Sequence, residues 1–144
     1  MADVVSAEKR SQMMAGIRGK NTKPELLVRR ALHRRGFRFR LHKRELPGRP
    51  DILLPRYKAA IFVNGCFWHG HNCKYFNLPK TNTAFWREKI NANRERDARK
   101  TKQLIDLGYR VHCIWECQTR TGLQTFDDLI DSLASDIRKQ ELEG

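Results

Sequence analysis

Two short apolar runs, Asp51-Ile52-Leu53-Leu54 and Ala59-Ala60-Ile61-Phe62-Val63, are separated only by Pro55-Arg56-Tyr57-Lys58. Such runs, joined by a Pro-led link, read as two strands in a tight antiparallel connection. These are the central strands, and the rest of the chain must be arranged around them. Ahead of them, Thr22-Lys23-Pro24-Glu25 has capping-box spacing with Pro in the first turn, and Gly36 follows a basic last turn. This predicts a helix over Pro24 to Arg35 with Leu27, Val28, Ala31 and Leu32 as its buried stripe. Phe37, Phe39 and Leu41 alternate with Arg38 and Arg40, the period-two pattern of a strand with one basic face. Pro47-Gly48-Arg49-Pro50 then breaks the chain just before Asp51.

After the central pair, a long helix is expected from about Thr83 or Ala84 to Leu107, ended by Gly108, then a fourth strand over Tyr109 to Trp115. Alternation assigns Val111, Cys113 and Trp115 to the core and His112 to the opposite face. Phe126 to about Lys139 reads as a final amphipathic helix, with Leu129, Ile130, Leu133 and Ile137 at helical spacing. The expected fold class is α/β, a central mixed β-sheet flanked by helices. A chain of 144 residues suits one domain, here 22–144, behind an N-terminal arm, 1–21. In the arm, Met13, Met14 and Ile17 share one face of a helix weakened by Gly16, Gly19 and Asn21, so it is expected to order on its partner.

Twenty-nine Lys and Arg against sixteen Asp and Glu give a formal charge of +13, more than solubility requires. A polyanionic partner follows, with nucleic acid the leading candidate and a generally basic or ribosome-associated surface the plainer alternative. The N-terminus lacks a basic segment followed by an apolar run, and no stretch reaches membrane-spanning length, so a cytoplasmic location without membrane contact is expected.

Cys66-x4-His71-x-Cys73 places three soft or borderline ligands in one loop, and Cys117 follows the last strand. Four such ligands match a closed tetrahedral zinc site, which would tie the loop after the third strand to the exit of the fourth. The alternative is that the cysteines are simply buried. Hydrolysis of a phosphodiester calls for a hard cation and a group that activates water. Asp51, after a Gly-Arg-Pro turn at the start of a buried strand, can supply a magnesium ligand or cap the neighbouring turn. Glu25 can approach the same cation through water or serve only its capping box. His69 is surplus to the four zinc ligands and free for proton transfer, unless it exchanges places with His71. The charges of the long helix, among them Arg87, Lys89, Arg94, Arg96, Arg99 and Lys100, form a solvated face or contact phosphates in part.

Taken in order, Leu46-Pro47-Gly48-Arg49-Pro50-Asp51, Gly65-Cys66-Phe67-Trp68-His69 with His71 and Cys73, Phe85-Trp86-x-Glu88-Lys89-Ile90, Asn93-x-Glu95-Arg96-Asp97 and Trp115-Glu116-Cys117 resemble the very-short-patch mismatch-repair endonucleases. The resemblance runs from about Arg10 to Cys117. It implies a restriction-endonuclease-like core, a structural Zn2+ and a Mg2+-dependent nick 5′ to the thymine of a T:G mismatch left by deamination of 5-methylcytosine, with 5′-phosphate and 3′-hydroxyl products. By matching position, Asp51 is the central metal ligand beside the Val63 backbone carbonyl, and His69 is the catalytic histidine. This core usually carries Glu-x-Lys after its aspartate; Phe62-Val63-Asn64 has none, consistent with a histidine doing the lysine's work. The family can also carry a histidine where this chain has Asn64. Phe67, Trp68 and Trp86 are implied as wedges from the major groove, met by Met14 or Ile17 from the minor groove, although aromatic residues in so small a chain also serve as core. Double-stranded DNA with a T:G mismatch is the implied partner of a monomer, and mismatch-repair proteins are candidate helpers. The rival readings are a non-catalytic zinc-stabilised DNA-binding module and a related nuclease with a different structural trigger.

Overall fold

The computed structural model of the chain describes residues 22–74 and 76–143, with side chains through 139. Met14, Ile17 and the rest of the expected arm lie outside the described residues. The elements, in order, are α1 (Lys23–Arg34), β1 (Arg40–Leu41), β2 (Ile52–Leu54), β3 (Ala59–Asn64), α2 (Thr83–Asp106), β4 (Arg110–Trp115) and α3 (Leu123–Glu143). They form one four-stranded sheet in the order β1-β2-β3-β4. The β1–β2 and β2–β3 pairs are antiparallel and β3–β4 is parallel, so the sheet is mixed. A parallel pair needs a long crossover, and α2 supplies it.

Side-chain alternation sorts the sheet into two unequal faces. Ile52, Leu54, Ala59, Ile61 and Ile114 point to one side, where they pack with Val28, Ala31 and Leu32 of α1 and Phe126, Ile130, Leu133, Ala134 and Ile137 of α3. Leu53 and Ala60 point to the other and meet only Leu104 of α2 as a buried partner, with Leu46, Phe62, Tyr109 and Val111 half-buried around them. The first face holds the main core. The second holds a thin one, and α2 is free to carry other contacts. The three helices occupy the predicted places, with α3 beginning at Leu123 rather than Phe126. Gly108 ends α2 as expected: it adopts φ 95°, and the Tyr109 N–H reaches back to the Leu104 carbonyl at 3.0 Å. The link between β2 and β3 is a 3-10 turn over Pro55–Tyr57, closed by Lys58 at φ 50°.

Three local expectations change. The strand expected over Phe37 to Leu41 shrinks to Arg40–Leu41, which pair with Leu53 and Ile52, and it ends as expected at Leu41, where His42 turns the chain at φ 49°. The capping box at Thr22 is half made: the hydroxyl accepts from the Glu25 N–H at 3.4 Å, but the Glu25 side chain is not spent on the cap. Cys113 shares a face with Val111 as predicted, yet that face is the thinly covered one, and Cys113 is exposed rather than core.

Candidate functional site

The loop after β3 is folded tightly on itself before it meets any other element. The N–H groups of His69, Gly70 and His71 donate to the carbonyls of Gly65, Phe67 and Cys66 at 3.3, 3.2 and 2.9 Å. Gly70 is required at its position: φ is 60°, and a Cβ there would fall 2.6 Å from both Ile90 Cγ2 and Arg94 Nε. One stripe of α2 then holds the loop. Ile90 packs beneath it, Asn93 Nδ2 donates to the Trp68 carbonyl at 2.8 Å, Arg94 donates to the carbonyls of Gly70 and His69, and Asp97 pairs with His69 Nδ1.

This folding brings Cys66, His71, Cys73 and Cys117 together, with one ligand atom from each lying within 4.8 Å of all the others. Cys117 Sγ stands 3.6 Å from His71 Nδ1, and the Cys117 N–H donates to Cys66 Sγ at 3.3 Å. Zinc–sulfur bonds of about 2.3 Å in a tetrahedron separate the ligand atoms by roughly 3.5 to 3.8 Å, so three sulfurs and one imidazole nitrogen fit such an ion. Burial pushes the Cys66 thiol up to about 12, reinforced by Cys73 and Cys117, and burial also raises Cys117. Thiolates gathered this closely need a cation beside them. Trp115, expected in the core, is instead a half-buried wall of this cluster, its indole stacked on the His71 ring at 4.1 Å and 5°. Its aromatic face serves the ligand loop because the strand face it occupies carries little other cover.

A second cluster forms at the same end of the sheet, where the start of β2 lies beside the end of β3. Asp51 precedes β2, and its Oδ2 accepts the Val63 N–H across the strand pair at 2.7 Å. Glu25, on α1, is 1% exposed and shares its Oε2 between Arg29 and His42 Nε2, the latter at 2.8 Å. Ligand atoms of Glu25, His42 and Asp51 lie within 4.8 Å of one another. Burial pushes the Asp51 carboxyl up to about 7; the Val63 N–H opposes this, Glu25 adds to it, and the charges of His69 and Arg29 pull it down. A carboxyl so placed holds a proton or a cation near neutral pH. Asn64 takes no part in this cluster: its amide donates to Cys113 Sγ at 3.3 Å.

The predicted aromatic residues come together beside the loop. Phe67, Trp68 and Trp86 form a mutual edge-to-face triad with centroids 5.2 to 5.9 Å apart. Trp68 is 7% exposed, Phe67 and Trp86 are half-buried, and Phe85, packed on Trp86, is 58% exposed. His42, Asp97 and Phe85 are the members of these sites not singled out from the sequence for the places they occupy. For Asp97 a signal existed: Ile90, Asn93, Arg94 and Asp97 follow the i, i+3, i+4, i+7 spacing of a single helix face.

A mixed sheet carrying a buried carboxylate centre at one point, and a three-cysteine, one-histidine cluster beside an aromatic-rich loop, defines an α/β protein with two clusters able to hold a metal ion. The family model of the DNA mismatch endonuclease Vsr matches residues 2–75. The Type II nicking enzyme V.XorIIP of Xanthomonas oryzae pv. oryzae is 49% identical over 118 residues, covering 82% of this chain and 87% of its own. The DNA mismatch endonuclease Vsr of Escherichia coli is 44% identical over 130 residues, 90% of this chain and 83% of its own. The Type II nicking enzyme V.NmeAIP of Neisseria meningitidis is 45% identical over 120 residues, covering 83% and 86%. The chain belongs to the Vsr DNA mismatch endonuclease family. Among the described residues no helix is long and apolar enough to cross a membrane.

Proposed function

We propose that this chain is a strand-nicking DNA endonuclease of restriction-endonuclease-like architecture, cutting 5′ to the thymine of a T:G mismatch in double-stranded DNA and leaving 5′-phosphate and 3′-hydroxyl ends. The observation that carries the reading is the Asp51 centre, with its unusually proton-avid carboxyl, electrostatically coupled to a histidine that Asp97 holds in place. Asp51 and Glu25 supply the oxygens that magnesium prefers. The Val63 N–H points at Asp51, and since a strand residue's N–H and C=O face the same neighbour, its carbonyl lies on that side too. When bound, magnesium would polarise the scissile phosphate and favour ionisation of the attacking water.

His69 does the proton work in this reading. Asp97 on Nδ1 fixes the ring and its tautomer and leaves Nε2 to take or give a proton, the division of labour of an Asp–His pair. Cys66, His71, Cys73 and Cys117 would hold a zinc ion, which would make the loop rigid and keep His69 and the aromatic triad in fixed positions. Phe67 and Trp86, with Phe85, present the accessible aromatic surface for the weakly stacked mismatch, and Trp68 braces them from below. The arm with Met14 and Ile17 would meet the opposite groove. The same reading makes the protein a cytoplasmic, nucleoid-acting monomer, with mismatch-repair proteins as candidate helpers.

The direct test is nicking of a short duplex containing one T:G mismatch in a CT(A/T)G-like context, with and without magnesium, beside its matched T:A counterpart. Magnesium-dependent cutting of the thymine strand alone is expected. Tight mismatch binding without cutting would return the chain to the zinc-stabilised binding-module reading, and equal cutting of matched or branched DNA would point to a different trigger.

A further inference from the structure

His42 stands where β1 ends, and nothing in a basic stretch, Arg40-Leu41-His42-Lys43-Arg44, would single it out. Its backbone sits at φ 49°, in the left-handed region that non-glycine residues enter at a cost, and strain of this kind persists where surrounding structure imposes it. Its N–H donates to the Asp51 carbonyl at 3.2 Å, which locks it beside that residue. Its ring is turned inward, placing Nε2 2.8 Å from Glu25 Oε2. Adjacent ligands on an octahedral ion with bonds of about 2.1 Å stand roughly 3 Å apart, so this nitrogen and oxygen are spaced as neighbouring ligands. Arg29 donates to the same Oε2 and lies 3.4 Å from Nε2, so a cation held by this nitrogen and oxygen would share the carboxylate with the guanidinium.

We propose that His42 is a direct ligand of the cation held by Asp51 and Glu25, making the centre a mixed nitrogen–oxygen site that favours manganese over magnesium. The inference rests on the reading of Asp51 as a metal ligand. Magnesium is indifferent to imidazole, whereas manganese and the later divalent ions accept it, so one nitrogen donor shifts the selectivity of an otherwise oxygen-only site.

The experiment uses the full chain loaded with zinc, without DNA, titrated with manganese and with magnesium, and examined by pulsed electron paramagnetic resonance of the bound manganese. Coupling to a directly coordinated nitrogen-14 is expected in the wild type and absent in His42→Asn, a residue that tolerates the left-handed backbone. Manganese affinity should fall tenfold or more in that variant, on the order seen when groups around a metal are removed, while magnesium affinity changes less. Manganese bound without nitrogen coupling in the wild type overturns the proposal, whatever the variant does. Coupling that persists in His42→Asn assigns the nitrogen to another histidine and overturns it too. Manganese binding that is absent, or unchanged in Asp51→Asn, removes the metal reading of Asp51 itself, so the two failures are distinguishable.

Discussion

The two ligand clusters are opposites in construction. Cys66, His71 and Cys73 come from one loop that its own backbone hydrogen bonds already bend into shape, and only Cys117 arrives from elsewhere. Glu25, His42 and Asp51 come from α1, the end of β1 and the start of β2, and the main core must be assembled before they meet. The first cluster gathers soft ligands that, metallated, hold two loops together. The second buries two carboxylates, and the fold resists the ionisation of Asp51. On the proposed reading, the contrast separates a centre that stabilises the fold from one that the fold has to stabilise.

The sharpest way to test that contrast is Asp51→Asn. Cutting should fall on the order of a thousandfold, since a catalytic metal supplies several kcal/mol of transition-state stabilisation. The cation-free protein should at the same time become more stable at pH 8, by on the order of 4 kcal/mol at ~1.4 kcal/mol per tenfold preference for the proton. Denaturant titration without divalent cations apart from the zinc, beside a nicking assay, measures both. A variant that loses cutting and stability together would break the comparison.

Cys117→Ala should act in the reverse sense, lowering stability by several kcal/mol and releasing zinc before any chemistry is considered. Metal analysis and thermal unfolding check this, and stoichiometric zinc in a fully stable variant would remove the structural role. The pH dependence is next in size. Burial lifts the Asp51 carboxyl from its ordinary 3.8 to about 7 in the folded chain, so between these the native state holds the extra proton. Stability of the cation-free wild type should therefore fall as pH rises from about 4 to about 7 and flatten above, and Asp51→Asn should lack that slope. Magnesium, competing with the same proton, should bind more tightly as pH rises towards 7 and level off beyond it. The smallest effect is expected from Asp97→Asn, which keeps the shape of the His69 contact but not its charge. Cutting should slow about tenfold with unchanged zinc content and little change in stability. A loss of zinc in this variant would show that the α2 stripe shapes the ligand loop rather than the chemistry.

The same contrast explains what the sequence disclosed. The cysteine loop was legible because its ligands are neighbours in the chain, and α1 was legible because Val28, Ala31 and Leu32 repeat at helical spacing. His42 was not, because its role depends on the left-handed turn that follows β1, and no local pattern in Arg-Leu-His-Lys announces that turn. Asp97 was masked by the mixed charges around it, most of which are exposed. Glu25 was ambiguous in the chain and became specific only in space, since its spacing suits a capping box while its carboxylate meets Arg29 and His42. Alternation grouped Cys113 and Trp115 with Val111 on one face of β4, but the main core lies on the other face, with Ile114. What alternation could not say is that this side carries the thinner core.

Cys66 and Cys117 lie 51 residues apart, and the strands that bring them together are the parallel pair, whose contacts are the least local in the sheet. Closing that long loop is an entropic cost met only when β4 docks against β3, so completion of the sulfur knot belongs late in folding. During synthesis the ligand loop emerges well before its last ligand. A nascent or truncated chain ending before Cys117 therefore carries Asp51 and His69 without the last ligand of the loop, and on the proposed reading DNA cutting is expected to begin only once all four strands have been made.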